Sequence, residues 1–263
     1  MTTEEFIISL FCEIDDQMPK MTKHSQAKLY PSELVTIGVL FALKGGYFRA
    51  FYRWLKRDYE GLFAGLPERT RLRRALSTHR SWCDGFRAQP SFFTVIDSYG
   101  IELIHPIREG RSDQQIGKKG KSNWRWMVGM KLCWLINDDG RVVSWAWDTA
   151  NVHDQVFLPL VSALEDESIV LAVTGFNDAG GIPANLKLCP RGTWNERMLV
   201  ETTLSLVTTV CSLKKVFHRS RTHFETRLAY VAAMFNALLA LNRTLQPEAD
   251  PQDRLLHLAQ FAL

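Results

Sequence analysis

The 263-residue chain is poor in cysteine, in long apolar runs and in repetition. Its five cysteines (Cys12, Cys83, Cys133, Cys189 and Cys211) stand far apart with no C-x-x-C pair among them, which excludes a disulfide framework and a zinc ribbon. No stretch reaches eighteen apolar residues. The richest runs, 34–43 and 228–241, are interrupted by Gly38 and Asn236 and are too short to span a bilayer. The chain opens with Glu4 and Glu5 where a signal peptide would be basic, so the expected location is the cytoplasm. There is no internal repeat and no low-complexity tract. The basic stretch Lys118 to Lys121 lacks the glycine spacing of a P-loop. What remains, 46% apolar and 23% charged, is an ordinary globular composition of a size for one large domain or two modest ones.

The net charge is only +4, but it is segregated. From Lys44 to Arg80 ten basic residues face three acids, from Arg108 to Lys131 seven face two, and from Lys214 to Arg227 five face one. Those blocks hold 22 of the 32 basic residues and 6 of the 28 acids, so the rest of the chain is net acidic. Charge segregated in this way points to a polyanion, with Arg49, Arg53, Arg71, Arg73, Arg74, Lys118, Lys119, Lys121, Lys214 and Lys215 as candidate DNA contacts. Taken singly, each block is also compatible with a solvated helix face.

Residues 1–88 read as helical. Phe6, Ile7, Leu10, Phe11 and Ile14 repeat at the helical period, and Pro31 opens a second helix that Gly45 and Gly46 close. Phe48, Phe51, Tyr52, Trp54 and Leu55 form an aromatic stripe expected to be core, with arginines opposite. Short basic helices joined by tight turns suit a helix-turn-helix-like DNA-binding region. At Pro90 the pattern changes. Strands are expected at 91–97, 126–136, 141–147 and 168–173, with a brief one at 185–188, and Asn137 to Gly140 is a hairpin turn. Residues 98–123 read as a long basic connection, and helices are expected at 152–164, 194–214 and 224–241. The tryptophans at 124, 126, 134, 145 and 147 on the hairpin are expected to pack. The fold class is therefore α/β, a mixed sheet flanked by helices behind a helical N-terminal region.

Asp97 closes an apolar strand, where it is either an active-site carboxylate at the mouth of a sheet or the first residue of a turn. Trp194, Arg197 and Glu201 share one helical face. That face is either a surface Arg–Glu pair or a carboxylate held opposite Asp97. Two carboxylates brought together repel unless compensated, and a pair of Mg²⁺ or Mn²⁺ ions is the usual compensation. Asp154 reads as a first-turn carboxylate of the 152–164 helix.

Phe92 to Tyr99, Ile101 to Arg111 and Gly192 to Glu201, with Tyr30 to Leu34 and Leu66 to Arg71, resemble bacterial insertion-sequence transposases of the DDE type through nearly the whole chain. The resemblance implies a ribonuclease H-like catalytic domain over residues 89–263, preceded by a helical DNA-binding region at 1–88. It implies divalent metal held by Asp97 and Glu201, with Arg197 supporting, and double-stranded DNA (terminal inverted repeats and target) as partner. The activity it implies is nicking at element ends followed by attack of the 3′-hydroxyl on target DNA, with a homodimer to pair the ends. Trp194 replaces the Tyr of the Y-x2-R-x3-E signature, and Thr208 replaces its Lys. The second Asp falls on Val173, which cannot ligate a metal, and Asp178 is the candidate substitute. The alternatives are a catalytically silent DNA-binding remnant and a structure-selective nuclease.

Overall fold

The computed structural model describes residues 1–122, 125–189, 196–249, 257–261 and 263, and for residues 122, 196–201, 207, 257 and 259 it describes the backbone alone. Helix α1 (Thr3–Gln17) begins in a capping box: the Glu5 amide donates to Thr2 Oγ1 at 3.2 Å and the Thr2 amide to Glu5 Oε2 at 2.7 Å. Two orphan amides of the first turn are thereby satisfied. Helix α2 (Pro31–Lys44) starts on proline and stops at Gly45, whose φ of 68° is open to glycine. Helices α3 (Phe48–Asp58) and α4 (Arg69–Thr78) follow, with α3 turned 119° from α2. Phe48, Phe51 and Leu55 are buried, as the aromatic stripe predicts.

Helix α7 (Arg221–Leu245) is the axle of this half and packs on α1, α2 and the 3₁₀ segment Arg80–Phe86. The two interruptions in the apolar runs meet here. Gly38 on α2 lies under the Tyr230 ring, where a Cβ would come within 2.1 Å of it. Asn236, buried, accepts from the Val142 amide at 2.8 Å and donates to the Phe86 and Val142 carbonyls at 2.7 and 2.8 Å. It ties α7 to the sheet while leaving no buried polar group unpaired. By length and composition α7 could cross a membrane, but 78% of that stretch is buried in the protein's own core.

The sheet comprises β1 (Phe93–Ile104), β2 (Lys118–Ser122), β3 (Arg125–Ile136), β4 (Val142–Thr149), β5 (Ile169–Ala172) and β6 (Leu186–Leu188). β3 is flanked on one edge by β2 and then β4, and on the other by β1, all antiparallel; β1 pairs in parallel with β5, and β5 in parallel with β6. This mixed six-stranded sheet flanked by helices is the architecture expected. One face carries Val95, Ile101 and Trp134 into a core shared with α1, α2 and α7; the other carries Ile96, Cys133 and Leu135 against Phe157, Val161 and Phe176.

Two segments differ from expectation. Residues 98–123 are not one loop: β1 runs on to Ile104, a 3₁₀ turn follows at Pro106–Arg108, and β2 closes the stretch. The 152–164 segment is broken into a 3₁₀ turn (Asp154–Phe157) and a one-turn helix α5 (Leu158–Ser162), with Pro159 in the first turn, where its missing N–H costs no hydrogen bond. Trp134 is buried and meets Phe235 edge-on at 5.5 Å, Trp145 and Trp147 pack against the core, and Trp126 stays exposed; Trp124 lies outside the described residues.

Candidate active site and its basic surroundings

Directly opposed residues of neighbouring strands project to the same face of a sheet. Asp97 pairs with Trp134, so it projects on the face that carries the helices. The Ser98 amide donates to Asp97 Oδ1 at 2.7 Å. Helix α6 (Glu196–Val210) packs against β1 on this side, with Thr208 beside Tyr99, two residues along the strand from Asp97. The helix that bears Arg197 and Glu201 therefore covers the strand that bears Asp97. The side chains of Arg197 and Glu201, and all of Trp194, lie outside the described residues.

Strand β5 leads to Val173, the position expected for a second carboxylate. The last parallel pair is Ile96 with Ala172, and the next residues along the two chains are Asp97 and Val173. Val173 stands one residue past the pairing, as Asp97 does on β1, and its side chain packs against the second core, on the face away from the α6 side. Asp178, five residues on, is separated from it by the Thr174–Phe176 turn, whose Phe176 is anchored in the opposite core. The Gly180 amide donates to Asp178 Oδ1 at 3.3 Å, so this carboxylate caps its own turn.

Asp154 belongs to the other face. Its Oδ1 accepts from Ser98 Oγ at 2.6 Å and pairs with Lys131 Nζ at 3.0 Å. Ser98 opposes Cys133, and Lys131 lies two residues before Cys133 on β3, so all three project away from the Asp97 side. Burial pushes the Cys133 thiol well up, and the charges of Asp97 and Asp154 push it the same way. Asp154 thus acts on the thiol from its own face of the sheet and Asp97 from the other. Lys131 neutralises Asp154, a pairing with no local signal because the partners are 23 residues apart. Among the described residues no three His, Cys, Asp or Glu side chains converge as a metal set.

The far end of β1 is held differently. Glu102 is buried and bonded to both Arg125 at 2.8 Å and Lys215 at 2.7 Å. Its backbone also pairs with the segment after α6: the Glu102 amide donates to the Lys214 carbonyl and the Val216 amide to the Glu102 carbonyl. Lys215, a candidate DNA contact, is thus already half engaged.

The other nine candidate contacts are exposed, but they do not form one patch. Lys118, Lys119 and Lys121 lie on β2, with Lys119 Nζ 5.6 Å from the Trp126 ring. Arg71 opens on a cavity beside His79 and Trp82, away from Arg49 and Arg73. Those two line a trough with His218 and Arg219 that continues past Lys215 and Arg108. Tyr47 and Phe217 at its mouth went unnoticed in sequence, because isolated aromatics after a glycine pair and after Val216 carry no periodic signal.

Residues 87–188, the whole sheet from β1 to β6, match the family model of the transposase DDE domain. The match supports a DDE-type transposase and, for the chain, a transposase function. Among solved structures the chain is similar to the piggyBac transposase of a synaptic complex with hairpin DNA, at 11% identity over 99% of this chain and 78% of that one, with a TM-score of 0.43. No curated protein matches.

Proposed function

We propose that this chain is an insertion-sequence transposase of the DDE type that binds DNA ends but, as it stands, does not cut them. One observation carries this reading: Val173 follows directly on the strand pairing that sets Ala172 beside Ile96, and this is the position to which the family resemblance assigns the second carboxylate. Asp97 and Glu201 are the proposed metal ligands and Arg197 the residue that supports them. Mg²⁺ or Mn²⁺ bound as a pair would activate a water or a 3′-hydroxyl and stabilise the leaving oxygen. The described donors fall short of that set. Asp154 is on the opposite face and neutralised, Asp178 caps its own turn, and Mg²⁺ demands near-octahedral oxygen placement. No cleavage step is therefore assigned to the native chain.

The binding half of the proposal rests on charge and on the helical region 1–88, read as the end-recognition unit in front of the 89–263 domain. The 119° turn between α2 and α3, made through Gly45 and Gly46, suits a helix-turn-helix, in which helices cross at roughly 90–120° through a short glycine-bearing turn. The proposed partners are double-stranded DNA carrying terminal inverted repeats, target DNA and a second copy of the chain, in the cytoplasm.

The test is strand cleavage and transfer on DNA bearing the gene's flanking ends, with Mg²⁺ or Mn²⁺. The native chain is run beside Val173→Asp and the double variant Val173→Asp, Asp97→Asn. Binding by all three with cleavage by Val173→Asp alone is the expected outcome. Cleavage by the native chain would refute the reading and return Asp178 as a ligand.

A further inference from the structure

The trough between the N-terminal helices and α7 gathers four arginines, Arg49, Arg73, Arg219 and Arg227, with no acid among its lining residues. It encloses about 440 Å³ and is also lined by His218 and His223. Arg227 is 3% exposed, and its guanidinium has one hydrogen bond to the Cys211 carbonyl at 2.8 Å and sits 5.4 Å from the Phe41 ring centroid. Its Nε is buried without a partner, as is Nδ1 of His218. Buried donors are normally paired, and a buried cation without a counter-charge is costly, so the Arg227 guanidinium marks a site that lacks an anion.

A second observation specifies what the anion is attached to. At the mouth of the trough the Tyr47 and Phe217 rings stack on each other, with centroids 5.3 Å apart and planes 19° apart. Both are largely exposed, at 62% and 57%. They also line the adjoining cavity of about 740 Å³ that runs on to Arg108. A basic channel with an open aromatic face is how proteins hold unpaired bases, since any base stacks while the cations track its phosphates. A base inside a duplex is already stacked on both sides and cannot offer a face to the rings.

We infer that this trough binds an unpaired nucleotide of a DNA strand, its base stacked on Tyr47 and Phe217 and its phosphate held by Arg73, Arg219 and the buried Arg227. The inference rests on the DNA-binding reading above. The trough borders Leu103 to His105, six or more residues beyond Asp97 on β1 and just after it, which is roughly 20 Å or about six nucleotide steps away. The nucleotide held there belongs to DNA flanking the Asp97 site rather than to the phosphate beside it.

The experiment measures affinity of the full chain for a blunt duplex and for the same duplex with a six-nucleotide single-stranded overhang. The native chain is expected to favour the overhang about tenfold, given the worth of a single base stacked on an aromatic ring. Phe217→Ala and Tyr47→Ala are expected to remove that preference while leaving blunt-duplex affinity within twofold, and Tyr47→Phe to keep it. Both residues are exposed, so the fold should survive the changes. Arg73→Gln is expected to weaken the overhang complex further than the blunt one. Equal affinity of the native chain for both DNAs overturns the inference and leaves the DNA-binding reading standing; no affinity for either overturns both. Nucleoside monophosphate carries the same base and phosphate and should compete only at concentrations far above that of the DNA; binding of the monophosphate as tight as that of the overhang would reassign the site to free nucleotides and overturn the strand assignment.

Discussion

The Asp97 end of the sheet and the trough beside α7 are short of opposite things. At the Asp97 end a valine, Val173, holds the position where the proposed mechanism needs a second carboxylate. In the trough, arginines and histidines gather and one buried guanidinium has no acid to answer it. The first lack removes chemistry without touching the fold, because Val173 also packs against the core behind the sheet. The second is satisfied only from outside, by an anionic ligand. On the proposed reading, binding DNA and cutting it reside in different parts of this molecule, and one can persist without the other.

The strongest way to break this contrast is to supply the missing carboxylate. Val173→Asp should raise metal-dependent cleavage by roughly a hundredfold or more over the native chain, since even the loss of a residue that merely orients a ligand costs about 10–100-fold. End binding, measured in parallel, should not change.

Asp154→Asn asks whether the other carboxylate near Asp97 is structural. It strips the counter-charge from Lys131, whose side chain is only 18% exposed, and should cost about 2 kcal/mol in urea unfolding while DNA affinity stays constant. A loss of affinity without loss of stability would move Asp154 into the functional site.

The trough can be probed by pH. Burial, aided by the charges of Arg227, Arg73 and His223, lowers the His218 pKa from 6.5 to about 3. The unfolded chain then binds more protons than the folded one between those values. The contribution to stability is complete above pH 6.5 and is lost as pH falls toward 3, amounting to about 2 kcal/mol by pH 5. His218→Gln should flatten that part of the unfolding profile. Saturating DNA that fills the trough should steady it as well, through mass action. The smallest expected effect is on β2: Lys118→Gln should lower the slope of log K against log salt by about 1 and weaken all sequences alike.

Much of the fold could be read from spacing. The capping residues of α1, the proline start and glycine stop of α2 and the Asn137–Gly140 turn are local signals, and each element lies where they put it. The second half of β1 could not be read that way. Ser98, Gly100 and Glu102 break its apolar pattern, and their partners (Asp154, Lys131 and Lys215) are local to nothing in the chain. β2 is entirely polar and pairs only because β3 passes beside it. Of the site, Asp97 and Val173 stood out because each follows an apolar run, although β1 does not end at Asp97 as expected but continues to Ile104. The trough was not, since Tyr47, Arg73, Phe217 and Arg227 come from three distant stretches that only α7 brings together.

Strand β1 also acts as a gauge. It carries Asp97 at one level and, five residues along, pairs with Lys214 to Val216, the chain that has just left α6. The helix bearing Glu201 is thus stitched at its exit to the same strand that bears Asp97. To draw the helix away from that strand would break two backbone bonds and the buried Glu102–Lys215 pair together. The spacing between α6 and β1 is therefore fixed by backbone pairing along a length of strand, and it does not depend on which side chain stands at position 173.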